Sequence, residues 1–305
     1  MKAVVYKHYG SPEVLQLTEL AKPTPKNHEV LIKICATTVH VGDTRMRKPD
    51  PFMARFVNGL LKPRRIPVLG LELAGVVEET GQSVTRFEVG DEVFAFTGFR
   101  FGAYAQYICL SGVERKGPGL VAHKPANLSL EEAAALPGGG LTALSLIRKA
   151  KLKKGQSILI YGASGSVGTY AVQLAAYAGA GVTGVCSTAN LELVKSLGAT
   201  SVIDYTWEDF LARDEKYDVV LDAVDKLPKS EAKKVLKTTG RYLNVGKDSG
   251  STKPSVEGLE YLKALVEMGD LRVAVDRSYS LDEIVEAHRY VELGHKKGNV
   301  VVSVI

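Results

Sequence analysis

The stretch Ile158-Leu159-Ile160-Tyr161-Gly162-Ala163-Ser164-Gly165-Ser166-Val167-Gly168 decides how this chain is read, because it runs strand, glycine turn, helix in that order. Ile158 to Tyr161 is a short apolar run of strand type, and Val167, Ala171, Leu174 and Ala175 follow at helical spacing. Read as a dinucleotide fingerprint, Ala163 takes the first glycine's place in the turn. Gly165 lets the backbone approach a pyrophosphate, and Gly168 allows the helix to pack closely on the strand. The helix N-terminus then offers N–H groups and positive dipole to phosphate. The G-x-x-x-x-G-K-[ST] phosphate loop and the Tyr-x-x-x-Lys pair of short-chain reductases are both absent, which disfavours a P-loop nucleotidase and a short-chain reductase.

Around this stretch strand and helix alternate. Strands are expected at Ser157 to Tyr161, Val182 to Cys186, Ser201 to Asp204, Asp218 to Ala223 and Arg241 to Val245. Helices are expected at Val167 to Ala178, Leu191 to Leu197 and Lys229 to Lys237. Such alternation means right-handed crossovers and a parallel sheet covered on both faces. From Met1 to about Asn127 the texture is strand-rich and broken by Gly and Pro, with Val30 to Ile34, Leu73 to Val77 and Tyr104 to Ile108 as strands. Ser129 caps a helix through Leu136 in a capping box with Glu132, so a domain boundary is placed at residue 128. A helix at Leu281 to Leu293 and a strand at Asn299 to Ile305 close the chain and return to the first module. The expected division is 1–128 with 274–305, and 129–273.

Composition bounds the rest. The 305 residues are 45% hydrophobic and carry 39 basic against 34 acidic side chains, a net charge of +5. No apolar run approaches the roughly twenty residues of a membrane-spanning helix. The densest basic run, Lys62-Pro63-Arg64-Arg65, is short and reads as surface charge or the rim of an anionic-ligand site rather than a nucleic-acid patch. Cys35, Cys109 and Cys186 are odd in number and widely separated, which reads as reduced core residues in the cytoplasm; no secretory signal is visible at the N-terminus.

The choice of dinucleotide turns on the end of the second strand, Gly184-Val185-Cys186-Ser187-Thr188-Ala189-Asn190. No carboxylate stands there to take a ribose 2′-hydroxyl or repel a 2′-phosphate. Ser187 and Asn190 are donors, Tyr205 follows the third strand, and Lys195 adds a charge or simply faces solvent. NADP(H) is the predicted cofactor.

Gly70-Leu71-Glu72-Leu73-Ala74-Gly75-Val76-Val77-Glu78, then Gly81, Val84 and Gly90-Asp91-Glu92-Val93, resembles the signature of the medium-chain dehydrogenase/reductase superfamily. Leu197-Gly198-Ala199 and Gly298-Asn299-Val300-Val301 extend the resemblance over essentially the whole chain. It implies a GroES-like substrate domain, a doubly wound Rossmann domain and an active site in the cleft. It also implies that Thr142, Val224, Val245 and Gly246 line the cofactor. Zinc enzymes of the superfamily use a Cys and a Gly-His-Glu histidine as ligands; here Thr38 and Leu71 stand at those places, so no metal is expected. The chain is therefore similar to the zinc-free quinone oxidoreductases, the zeta-crystallin-like branch.

The resemblance places Val39-His40-Val41-Gly42-Asp43 where that branch has Val-Asn-Pro-x-Asp. His40 could donate a hydrogen bond or a proton to the acceptor, with Asp43 orienting the site, or be a structural histidine. Tyr104 could line the substrate side, and Phe52, Met53, Phe56 and Leu60 could cover it, although core packing is the alternative for each. The implied reaction is NADPH-dependent reduction of a quinone or an α,β-unsaturated carbonyl, whose charge delocalises and needs no Lewis acid. The alternatives are a 2-enoyl thioester reductase, a non-catalytic NADPH-binding protein and, more distantly, a zinc alcohol dehydrogenase. Only Lys247 to Ser255 separate Gly246 from the helix expected at Val256 to Met268, too few for a sixth strand, so the usual family dimer is not expected, and either an exposed fifth-strand edge or another way of covering it is.

Overall fold

The computed structural model describes residues 1–50, 52–113, 119–249 and 254–304. The chain forms two units: Met1–Gly138 with Ser255–Lys263 and Val275–Ile305, and Gly139–Pro254 with Ala264–Ala274.

The first unit begins with β1 (Lys2–Tyr6) and β2 (Leu15–Glu19), an antiparallel ribbon. Then come β3 (Glu29–Thr38), α1 (Val41–Arg47), α2 (Ala54–Asn58), β4 (Glu72–Thr80), β5 (Glu92–Phe96), β6 (Tyr107–Ser111), β7 (Leu120–His123) and α3 (Leu130–Ala134). β3 is buried along nearly its whole length because it is central, pairing antiparallel with both β4 and β6. Ser129 caps α3 and Glu132 closes the box back onto the Ser129 N–H. α3 packs on β3, β4 and β5, which is why this unit runs on through Gly138.

The second unit takes in most of α4 (Pro137–Ala150), then β8 (Ser157–Tyr161), α5 (Ser166–Tyr177), β9 (Gly181–Cys186), α6 (Leu191–Ser196), β10 (Ser201–Asp204), β11 (Tyr217–Asp222), α7 (Lys229–Ala232), β12 (Leu236–Asn244) and α8 (Val245–Asp248). Its sheet is parallel throughout, in the order β10-β9-β8-β11-β12. Leu159, Val185, Ile203 and Val220 lie in its core. After α9 (Val256–Glu267), the chain closes with β13 (Val275–Ser280), α10 (Ile284–Glu292) and β14 (Asn299–Ser303). β14 pairs antiparallel with β3, so the large sheet of the first unit runs β13-β14-β3-β4-β5-β7, with β6 on β3.

The sheet of the second unit has five strands among the described residues, with β12 at its edge. Part of the short interval after Gly246, residues 250–253, lies outside the described residues, as does Ile305 at the end of the expected last strand. Two expectations need correction. The helix expected at Lys229 to Lys237 stops as α7 at Ala232 and tightens into a 3₁₀ turn at Lys233–Val235, because β12 starts at Leu236. The last helix begins as a 3₁₀ turn, Leu281–Glu283, capped by Ser280. Among the described residues no helix is long and apolar enough to cross a membrane.

Candidate active site

In the second unit, β8 delivers the chain into the glycine loop and α5 leaves it. Gly162 has φ of +78° and makes the turn itself, which frees Ala163, placed where the fingerprint has its first glycine, to carry a methyl group. A Cβ on Gly168 would stand 2.1 Å from the Gly162 carbonyl oxygen, so α5 lies against the loop at a distance only glycine allows. Gly165 caps α5 without a side-chain bond, and a Cβ there would meet little beyond the Gly162 oxygen at 3.5 Å. Its outer side is open to an approaching group.

Asn190 joins the loop to the end of β9, its Nδ2 donating to Ser164 Oγ at 3.0 Å and Ser187 Oγ at 3.2 Å. Its Oδ1 is buried without a partner among the described residues. An orphaned buried acceptor costs free energy, and a hydroxyl-rich bound molecule would satisfy it. The glycine loop, the α5 N-terminus and the orphaned Asn190 acceptor therefore fit a dinucleotide. On the far side of the loop, Asp222 accepts from Val224 N at 3.1 Å and from Asn244 Nδ2 at 2.9 Å, tying the ends of β11 and β12 together. That tie sets Val224, whose Cγ1 would stand 2.5 Å from a Cβ on Gly162, and leads into Val245 and Gly246. Thr142 sits partly exposed on α4, Tyr205 is 47% exposed after β10, and Lys195 pairs loosely with Glu192 on the surface.

In the first unit His40 caps α1. Gly42 N–H donates to His40 Nδ1 at 3.0 Å, and Asp43 closes a reciprocal box by accepting from His40 N at 2.9 Å. With Nδ1 an acceptor, the neutral ring carries its hydrogen on Nε2. Burial, with the charges of Lys296 and Arg45, pushes the imidazole down to about 4. His40 is thus a neutral donor over the ordinary pH range, and no partner for Nε2 occurs among the described residues.

Asp43 and Tyr104 expose no surface, which fits an orienting place for Asp43 and core packing for Tyr104. Asp43 also accepts from Gly70 N at 2.8 Å, and burial pushes its carboxyl up to about 7. Behind it runs a directed chain of hydrogen bonds. Arg47 Nε donates to His288 Nδ1 at 3.3 Å, so His288 Nε2 carries hydrogen and meets the Tyr104 hydroxyl at 3.1 Å. Burial, with the charge of Asp43, holds that hydroxyl well above its ordinary value. Burial drives His288 down to about 3 and keeps it neutral. Arg47, fully buried, is matched by Glu292 and the Gly10 carbonyl.

Beside His40 lies a second buried group. Glu72 accepts from the Thr38 hydroxyl and from Gly138 N at 2.5 Å, and burial pushes it up to about 7. Lys296, donating to the Gly298 carbonyl at 2.5 Å, is pushed down to about 8 by burial against the pull of Glu72 and Asp276. Thr38 and Glu72 are thus spent on each other, and Leu71 offers no ligand atom. Among the described residues no group of three His, Cys, Asp or Glu side chains could hold a metal ion. Zinc does not fit here. Sequence reasoning passed over Arg47, Glu72 as a site residue, His288 and Lys296. His288 left a trace, sharing one helical stripe with Ile284, Ala287 and Val291, all buried.

Residues 26–115 match the family described as alcohol dehydrogenase GroES-like domain, and residues 166–285 match zinc-binding dehydrogenase. A 2-methylene-furan-3-one reductase of Solanum lycopersicum is 37% identical, the alignment covering 100% of this chain and 79% of the relative. An NADPH-dependent alkenal/one oxidoreductase of Arabidopsis thaliana chloroplasts is 33% identical over 99% of this chain and 79% of its own. The solved quinone oxidoreductase of Coxiella burnetii superposes with a TM-score of 0.88 at 32% identity, covering 100% of this chain and 99% of that one.

Proposed function

Because the chain belongs to the medium-chain dehydrogenase/reductase superfamily, among its quinone oxidoreductase-like members, we propose that it is an NADPH-dependent, zinc-independent reductase of quinones or α,β-unsaturated carbonyl compounds. Membership makes it a nicotinamide-dependent oxidoreductase; the acceptor, the preference for NADPH and the independence from zinc are the proposal.

The observation that carries it is His40, a neutral imidazole whose Nδ1 is engaged by Gly42 and whose Nε2–H is left to donate. Reduced nicotinamide, when bound, supplies a hydride. His40 then donates a hydrogen bond to the acceptor oxygen as negative charge gathers on it. A single neutral donor suffices where that charge spreads as a phenolate or enolate, whereas an isolated ketone demands more. Asp43, Tyr104 and His288 are positioning residues: they fix the α1 cap that aims His40, and they do not touch the acceptor. The loop of Gly162, Gly165 and Gly168 holds the pyrophosphate, and Ser187 and Asn190 hold the ribose end, where β9 ends without a carboxylate of its own and the neighbouring Asp204 is taken up by the Thr188 and Thr206 hydroxyls, which favours a 2′-phosphate. Thr142, Val224, Val245 and Gly246 line the nicotinamide side.

We place the work in the cytoplasm, in keeping with free Cys35, Cys109 and Cys186. Titrating NADPH and NADH against the protein by fluorescence tests the cofactor. Binding tighter for NADPH by at least about tenfold is expected, and that preference should shrink in Asn190→Ala. Equal affinities would refute the NADPH reading.

A further inference from the structure

The segment around α2 is inside out. Asn58, its most polar uncharged residue, is fully buried, donating to the Tyr6 hydroxyl at 2.5 Å and accepting from Ile66 N at 2.8 Å. Its carbonyl accepts from Arg64 N at 2.8 Å, and the Tyr9 hydroxyl holds the Gly59 carbonyl at 2.7 Å. These bonds fix the segment in place with its apolar side chains outward. Phe52 is 60% exposed, Met53 65%, Phe56 60% and Leu60 53%, which overturns core packing as the role of these four, and Leu61 beside them is 87% exposed. The rings of Phe52 and Phe56 touch edge to face, so these side chains form one patch rather than scattered residues.

The charge beside that patch is mostly positive. Lys62, Arg64 and Arg65 follow Leu61 directly and are exposed, and no carboxylate pairs with them among the described residues. Lys48 stands before it, paired with Glu292 at 2.7 Å, and Arg55 lays its guanidinium over Phe52 and Tyr9. Asp50 is the one exposed acid between Lys48 and Arg65. Exposed apolar side chains of this size, flanked by unpaired cations, have the chemistry of a surface that sits on an anionic bilayer: the apolar groups enter the headgroup boundary and the cations meet lipid phosphates.

We propose that residues 52–65 form a peripheral docking surface for membranes containing anionic phospholipid. The docking does not depend on the reading of His40 or of the acceptor, and it requires no spanning segment.

The test is co-sedimentation of the full chain with vesicles of phosphatidylcholine alone, or with about one-third phosphatidylglycerol, at low and high salt. The bound fraction should favour the anionic vesicles by at least about tenfold and fall with salt. Phe56→Ser with Leu61→Ser, and separately the triple change of Lys62, Arg64 and Arg65 to glutamine, should each abolish that preference while thermal unfolding stays cooperative. Absence of pelleting with either vesicle, or pelleting that both variants retain, would overturn the proposal. So would a dimer in light scattering that the serine variant dissolves without any vesicle binding, since a second copy would then be the occupant.

Discussion

Replacing Glu72 with glutamine isolates one buried proton. Its carboxyl is 1% exposed, and burial pushes it from 4.5 up to about 7 against the bonds from Thr38 and Gly138 N and the charge of Lys296. The unfolded chain releases this proton near the ordinary value, so between those two pH values the folded protein binds a proton that the unfolded chain has given up. The stability it confers is complete below about pH 4.5 and is lost as the pH rises through about 7. At about 1.4 kcal/mol for each pH unit, that interval amounts to about 3 kcal/mol. Glutamine accepts from Gly138 N through its oxygen and offers its NH₂ to Thr38 Oγ1, so it keeps the shape and removes only the titration. Urea unfolding followed by circular dichroism at about pH 5 and about pH 7.5 measures both proteins. The wild type should lose about 2 kcal/mol relative to E72Q between the two conditions, which span most of that interval. Parallel stabilities would refute the reasoning. So would a wild type that gains on E72Q as the pH rises, because that is the sign of an ionised Glu72 paired with Lys296.

Three further outcomes follow from the same geometry. His40→Asn, which can still cap α1 and still donate, should hold kcat within about tenfold, whereas His40→Leu should lower it by at least about a hundredfold; equal rates in the two variants would remove His40 from the reaction. With His40 at about 4, the wild-type kcat should show no inflection between about pH 5.5 and 7 attributable to it, and an inflection that vanishes in His40→Asn would contradict a neutral donor. Gly168→Ala places a methyl group 2.1 Å from a backbone oxygen, so the loop must shift by about 1 Å and NADPH binding should weaken at least about tenfold, read by fluorescence titration; unchanged binding would mean that the loop does not hold the cofactor.

The alternating pattern after Ser157 was legible because each strand is apolar and each helix begins at a recognisable turn. The weak point was Leu236, where an apolar residue at helical spacing belongs instead to the strand that ends the sheet. Pattern alone cannot tell a helix's last turn from the start of an edge strand. The glycine loop was legible down to Gly168, whereas the residue that turns the chain is Gly162 and not the position after it, a matter of one φ angle. His40 and Asp43 stand together in the sequence and could be singled out there. Arg47 and His288 lie 241 positions apart, and only β14 returning to β3 carries α10 back to the first unit. Glu72 stood inside a quoted motif, but its role depends on burial, which no spacing reveals.

The most direct measurement is NADPH absorbance decay by chelator-treated, metal-free protein with a naphthoquinone, an alkyl vinyl ketone, an unsaturated aldehyde and a crotonyl thioester. The account predicts turnover with the quinone or the unsaturated carbonyls, undiminished by chelation and not raised by added zinc. NADPH binding without oxidation in the presence of any acceptor, or activity that returns only with zinc, would contradict it.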